Sequence, residues 1–150
     1  MIELVQGNLL EADVEALVNP VNTVDVMGKG LALAFKQLFP ETFQPYRQTC
    51  QTGVLQIGSV FSVTVNESNN PRFVIHALTK VHFRQRSSLE IVARGLEALV
   101  AEVTRLEILS MAVPALGCGL GGLRWTDVLR LIQSAFLPLP AVQVLVFEPA

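Results

Sequence analysis

Lys80 ends an apolar run rich in branched residues, Phe73-Val74-Ile75-His76-Ala77-Leu78, with Thr79 between. A lysine leaving an apolar strand end can be partly desolvated, which lowers its pKa and turns the amine into a nucleophile. The plain alternative is a solvated lysine marking the strand's end, and the residues taken alone favour it. His76 and His82 straddle Lys80, but no carboxylate lies near in sequence, so they fit packing or surface positions better than a catalytic dyad. Asp13, Asp25 and Asp127 are the only aspartates. They are too scattered to mark a two-carboxylate glycosidase unless folding brings two together.

Two glycine-bearing stretches could hold an anion. The first is Asn19-Pro20-Val21-Asn22-Thr23-Val24-Asp25-Val26-Met27-Gly28-Lys29-Gly30. Glycines on either side of Lys29 at a helix start let backbone N–H groups approach a phosphate, which the helix dipole favours. By itself the pattern is more simply a tight turn with Lys29 in water. The second, Pro114-Ala115-Leu116-Gly117-Cys118-Gly119-Leu120-Gly121-Gly122, has four glycines in six residues. A plain turn needs one or two, and each further glycine costs folding entropy, so a ligand-cradling loop is the better account. No Lys-Ser or Lys-Thr pair follows, and the dinucleotide fingerprint is not matched.

The elements that must position these residues follow from periodicity. Ile2 to Val5 and Ala16 to Val18 read as strands leading into polar turns. Leu31, Phe35, Leu38 and Phe39 have helical spacing, closed by Pro40, and a second helix is expected from Glu41 to Cys50 with Pro45 in its first turn. Gly58 to Val65 and Phe73 to Leu78 read as a hairpin across Asn66–Pro71. Ser88 to Val103 is a strongly amphipathic helix, with Ser87 and Glu90 in a capping-box pattern. Glu107 to Val113 is a strand, Thr126 caps a helix carrying Val128, Leu129, Ile132 and Phe136, and Ala141 to Phe147 is the last strand. Strands alternating with helices give an α/β fold: a mixed sheet covered on both faces, with each candidate site directly after a strand, where such sheets place ligands.

Composition sets the class. With 150 residues, 51% hydrophobic and 16% charged, the chain suffices for one folded domain and excludes disorder. No apolar run approaches the roughly 20 residues of a membrane span. The start, Met1-Ile2-Glu3-Leu4-Val5, reads as a strand and not a secretory leader, so a cytoplasmic location is expected. Cys50 and Cys118 have neither zinc nor disulfide spacing. A net charge of -2 leaves any nucleic-acid contact to a local basic patch. Arg72, Arg84, Arg86, Arg94 and Arg124 could form such a rim near Lys80 and the glycine loop, although scattered surface arginines are the commoner explanation. Trp125 is most simply core.

Taken together, Gln6-Gly7-Asn8-Leu9-Leu10, the strand into Asn19 and Asn22, Met27-Gly28-Lys29-Gly30 and Pro114 to Gly122 resemble the macrodomain pattern in its usual order, over nearly the whole chain. VNTV…MGKGLAL…FK..FP, Thr79-Lys80 and GCGLGGL resemble the branch containing the DarG-type antitoxin and the human terminal ADP-ribose glycohydrolase. The resemblance implies a three-layer α/β/α macrodomain over residues 1–150 with an ADP-ribose pocket. In it the Asn8 side chain and the Leu9 N–H would meet adenine. Val26, Met27, Gly28, Lys29, Gly30 and Leu116, Gly117, Cys118, Gly119, Leu120, Gly121 would enclose the diphosphate and distal ribose, with Asn19 and Thr79 also lining the ligand. Asn22 would orient that ribose and Lys80 would be catalytic.

The implied activity is hydrolytic removal of ADP-ribose from thymidine in single-stranded DNA, reversing a DNA-modifying toxin that would be the cognate partner. Hydrolysis of ADP-ribosyl esters on protein carboxylates and non-catalytic reading of ADP-ribose are the alternatives. A monomer is expected, without cofactor, metal or membrane. Two positions depart from the pattern. Gly121 stands where the human relative has an acid, and Asp25 where the antitoxin branch is expected to have glycine. A carboxylate there would repel a diphosphate unless turned outward or paired with Lys29.

Overall fold

The structure, a computed structural model, describes residues 1–22, 30–51, 56–80, 88–118 and 122–149, with Asn22, Gly30 and Lys80 described in their backbone only. Strand β1 (Ile2–Val5) is followed by a single 3-10 turn, Leu9–Glu11, and by β2 (Ala16–Asn22). Helix α1 (Gly30–Leu38) leads through a second 3-10 turn, Pro40–Thr42, into α2 (Phe43–Gln51). Then come β3 (Val60–Thr64), β4 (Phe73–Lys80), α3 (Leu89–Arg105), β5 (Ser110–Val113), α4 (Trp125–Phe136) and β6 (Gln143–Phe147).

The six strands lie in the order β1-β6-β5-β2-β4-β3. Every pairing is parallel except β3 with β4. Side chains alternate between faces, as strand geometry requires. Ala16, Val18, Ile75, Ala77, Met111 and Val113 face α3 and α4, which contribute Val92, Leu96, Leu99, Val103, Val128, Ile132 and Phe136. On the other face Leu17, Val74 and Ala112 pack on Phe35 of α1, while Val21 and Leu78 pack on Tyr46 of α2. The result is the three-layer α/β/α arrangement expected from the sequence. Among the described residues no helix is long and apolar enough to cross a membrane.

This topology positions the site. The chain leaves β2 toward β3 and β4, whereas it leaves β5 through α4 toward β6 on the opposite side. The sheet therefore switches direction between β2 and β5, and ligands bind at the carboxyl ends flanking such a switch. Because β1, β6, β5, β2 and β4 run parallel, the segments that follow β1, β2, β4 and β5 all emerge at that one edge.

Several boundaries differ from the sequence reading. β2 continues past Val18 through Asn22, because β5 pairs with it only at Ala16 and Leu17 and Pro20 costs no ladder bond on that side. The cap of α3 is Ser88, whose hydroxyl accepts from the Ile91 N–H at 3.2 Å. Glu90 is one position too early for a capping box and instead pairs with Arg94 at 2.7 Å. Ser87 lies outside the described residues. Ser88→Ala is expected to lower stability by about 1 kcal/mol and Ser88→Gly by a few tenths, read as shifts of the urea midpoint at unchanged slope.

Helix α4 begins at Trp125 with Arg124 as an N-cap that makes no side-chain bond, so Thr126 lies inside the first turn and not at the cap. Trp125 packs against the α3–α4 core, which fixes that earlier start. β5 begins only at Ser110, since Leu106 and Glu107 turn to close α3, with Glu107 at φ 56° and the Ile108 N–H bonded to the Val103 carbonyl at 3.0 Å. β6 begins at Gln143, after hydrogen-bonded turns through Leu139 and Val142.

Candidate functional site

At the end of β1, Asn8 is exposed and caps the 3-10 turn, its Oδ1 accepting from the Leu10 N–H at 3.0 Å. One lone pair of that oxygen is thereby used, and one remains for a ligand donor. Leu9 is buried against Val14, Leu17, Phe35 and Ala112, with Phe147 packed alongside, which anchors the turn to the sheet. An open depression lies between this turn and α1, lined by Asn8, Leu10, Glu11, Ala34, Gln37 and Leu38.

The ends of β2 and β4 lie side by side. Their register runs regularly from Ala16 opposite Phe73 to Val21 opposite Leu78, then slips so that Asn22 stands opposite Lys80. The two residues singled out from sequence, 58 positions apart by the numbering, thus share one edge of the sheet. Thr79, next to Lys80, is buried.

The glycine-rich segment after β5 is built as a pinned loop. Leu116 is sunk in the core, and the Leu116 N–H bonds the Pro114 carbonyl at 2.8 Å. The Leu123 N–H bonds the Gly117 carbonyl at 2.9 Å, tying together the two ends of the intervening stretch. Gly117 and Gly122 have φ of 75° and 79°, a region that carries a steric cost for residues with a Cβ. Burial pushes the Cys118 thiol pKa up, which opposes a role as a reactive thiolate. Gly119, Leu120 and Gly121 lie outside the described residues, as do Val26, Met27, Gly28, Lys29 and Asp25. Gly30 is the first residue of α1.

Asn19 sits one layer deeper than the other candidates. It is fully buried, and its Nδ2 lies 3.2 Å from His76 Nδ1 on the neighbouring strand. An amide nitrogen can only donate, so Nδ1 accepts and the neutral ring carries its proton on Nε2. His76 lies against Tyr46 and Phe61, with ring centroids 5.3 and 6.1 Å away. Burial lowers its pKa to about 4, although the nearby Thr42 backbone favours the protonated form without making a well-formed hydrogen bond to Nε2. Sequence reading left His76 as a packing or surface residue. The signal available was parity, since His76 alternates with Val74 and Leu78, and Asn19 with Leu17 and Val21, on one buried face.

Of the arginines that could form a basic rim, Arg72 and Arg94 are placed as scattered surface residues, the commoner explanation. Arg72 precedes β4 at the opposite end from Lys80, about 26 Å away at 3.3 Å per residue. There it pairs with Glu15 at 3.3 Å and lies over the Phe73 ring. Arg94 is held by Glu90 on the surface of α3. Arg124 is exposed just after the glycine loop, and Arg84 and Arg86 lie outside the described residues. Among the described residues no cluster of three His, Cys, Asp or Glu could hold a metal.

Comparison with known proteins agrees with this architecture. The macro domain family matches residues 18–132. The chain is 48% identical to a DNA ADP-ribosyl glycohydrolase of Thermus aquaticus over 99% of its own length and 41% of the relative. To that of Mycobacterium tuberculosis it is 45% identical over its full length and 43% of the relative. It thus spans about two-fifths of the length of the curated relatives it matches. The solved macrodomain of Thermus aquaticus DarG superposes with a TM-score of 0.95, covering 99% of both chains. Thermosipho africanus DarTG in complex with ADP-ribose, 32% identical, superposes with a TM-score of 0.89 over 99% of this chain and 41% of that one. By sequence and by fold, the chain belongs to the macro domain family.

Proposed function

We propose that residues 1–150 form one macrodomain that binds ADP-ribose and hydrolytically removes it from thymidine in single-stranded DNA, reversing a DNA ADP-ribosyltransferase toxin. The observation that carries this reading is the placement of Asn22 opposite Lys80 at the carboxyl ends of two adjacent parallel strands, on the edge that also receives Asn8 and the glycine-rich loop. In support, relatives matched over nearly all of this chain, though over only 41–43% of their own length, carry the name DNA ADP-ribosyl glycohydrolase, and DarTG of Thermosipho africanus was solved with ADP-ribose.

In this reading Asn8 and the Leu9 N–H meet adenine, and the spare lone pair of Asn8 Oδ1 accepts from its amino group. Gly28 to Gly30 at the start of α1, with Val26 and Met27 before them, and Leu116 to Gly121 surround the diphosphate and distal ribose. Asn22 holds that ribose, and Lys80 works at its anomeric carbon. The bond from that carbon to the base breaks with oxocarbenium-like character, water supplies the new oxygen, and the base recovers a proton. An amine that attacks must be neutral, a state that desolvation would favour. A cationic amine would instead assist the leaving base electrostatically.

The test offers the protein two substrates side by side: a single-stranded oligonucleotide ADP-ribosylated on thymidine, and a peptide carrying an ADP-ribosyl glutamate ester. Release of ADP-ribose from the oligonucleotide at a kcat/KM at least tenfold above that for the peptide is expected, a difference of about 1.4 kcal/mol in transition-state binding. Preferential cleavage of the peptide would make the protein an ester hydrolase. Binding of ADP-ribose with neither cleavage would make it a reader.

A further inference from the structure

The register between β2 and β4 is irregular where the proposed site needs it to be accurate. The pairing is regular through Val21 opposite Leu78, but the register then slips before Asn22 meets Lys80, so the ladder alone does not fix how those two residues stand to each other. One side-chain hydrogen bond bridges the two strands just before this irregularity, from Asn19 Nδ2 to His76 Nδ1. The two residues are direct cross-strand partners, three positions before Asn22 and four before Lys80.

Stability does not explain a polar pair here. Both side chains are fully buried, and among the described residues Asn19 Oδ1 has no hydrogen-bond partner, while His76 Nε2 has at best the poorly aligned Thr42 backbone. An unpaired buried acceptor such as Asn19 Oδ1 costs about 1–3 kcal/mol, and two apolar groups of similar shape would avoid that cost. The neighbours on this face, Leu17, Val21, Val74 and Leu78, are apolar. What the polar pair adds is direction: a hydrogen bond sets one strand against the other at a defined point, which non-directional apolar contact does not.

We infer that His76 is a positioning residue for the reaction proposed above: by accepting from Asn19 it locks the ends of β2 and β4, and so holds Asn22 and Lys80 opposite each other. His76 touches neither substrate nor reacting atoms. The inference rests on the proposed function for its kinetic consequence, but not for its structural one.

His76→Phe keeps a ring against Tyr46 and Phe61 and removes the acceptor, and Asn19→Leu with His76→Phe removes both polar partners. With the ADP-ribosylated thymidine oligonucleotide, kcat of His76→Phe is expected to fall between about 10- and 100-fold with KM little changed, the size of effect that small misplacements produce. The double variant should recover thermal stability without recovering kcat. Independently of any activity, amide hydrogen exchange at Val21 and Asn22 should accelerate about tenfold in either variant, while Leu17 and Val18 keep their protection.

A double variant whose kcat returns together with its stability would overturn the inference, as would a folded variant whose exchange at Val21 and Asn22 matches the parent. Should His76→Phe not fold, the double variant carries the same comparison. If the parent releases no ADP-ribose, the proposed function fails, and the exchange measurement alone decides whether His76 sets the strand ends.

Discussion

Lys80→Ala is expected to slow release of ADP-ribose from a thymidine-ADP-ribosylated oligonucleotide by about 10²- to 10⁴-fold, the range attached to a single positioned catalytic group. This amounts to roughly 3–5 kcal/mol of transition-state stabilisation. Binding of free ADP-ribose should persist, because the segments proposed to hold the nucleotide follow β1, β2 and β5, whereas the lysine ends β4. Lys80→Arg separates the two roles open to the amine. Arginine keeps the charge but is never neutral at working pH, so it rescues an electrostatic role and not a nucleophilic one. Single-turnover kinetics on the three proteins, with ADP-ribose titration as the control, give the answer. A Lys80→Ala protein that cleaves as fast as its parent would remove Lys80 from the chemistry.

The second large effect concerns acid. His76 is neutral in the folded protein down to about pH 4, whereas in the unfolded chain it takes up a proton near its ordinary 6.5. Below 6.5 the unfolded state therefore binds more protons, and stability falls with pH until the folded state also protonates near 4. At about 1.4 kcal/mol per pKa unit, this one residue withdraws about 3 kcal/mol across that window. The loss is large beside a typical domain stability of about 5–15 kcal/mol. Glu102 adds to acid sensitivity below its own range, because hydrogen bonds from Arg105 and Ser62 hold its pKa down. Urea unfolding at pH 7 and pH 5 should show the parent losing about 2 kcal/mol more than His76→Phe between those two values. Equal losses in the two proteins would mean that His76 is not the group being titrated.

The same histidine illustrates what could and could not be read from the sequence. Periodicity gave the strands, the helices and their layering because each face is either apolar or not, and Leu96, Leu99, Val128 and Ile132 lie where their spacing predicted. It misplaced ends wherever a tertiary contact decided them. Packing of Trp125 moved the start of α4 ahead of Thr126, and the lone pairing of β2 with β4 beyond Leu17 carried β2 through a proline that reads locally as a turn.

At the site, Lys80, Asn22 and the two glycine loops could be singled out as residue types directly after strands, but their convergence required the strand order. Nothing in the sequence says that β2 neighbours β4. For that reason the Asn19–His76 pair was invisible, although each residue stood out as polar on an apolar face. Arg72 shows the converse error. Eight positions before Lys80 reads as close by, yet along a strand it is the far end of the molecule, where Glu15 holds it.

The central claim is that one edge of the sheet, at the carboxyl ends of its parallel strands, holds ADP-ribose across the segments after β1, β2 and β5, with Lys80 at the end of β4. It is tested most directly by titrating the protein with ADP-ribose while following backbone amide shifts by NMR. The account predicts saturable shifts concentrated at Asn8, Leu9, Asn22, Gly28 to Gly30, Lys80 and Leu116 to Gly122, with the opposite edge around Glu15, Arg72 and Leu109 unmoved. Shifts confined to that opposite edge, or no saturable shift at all, would contradict it.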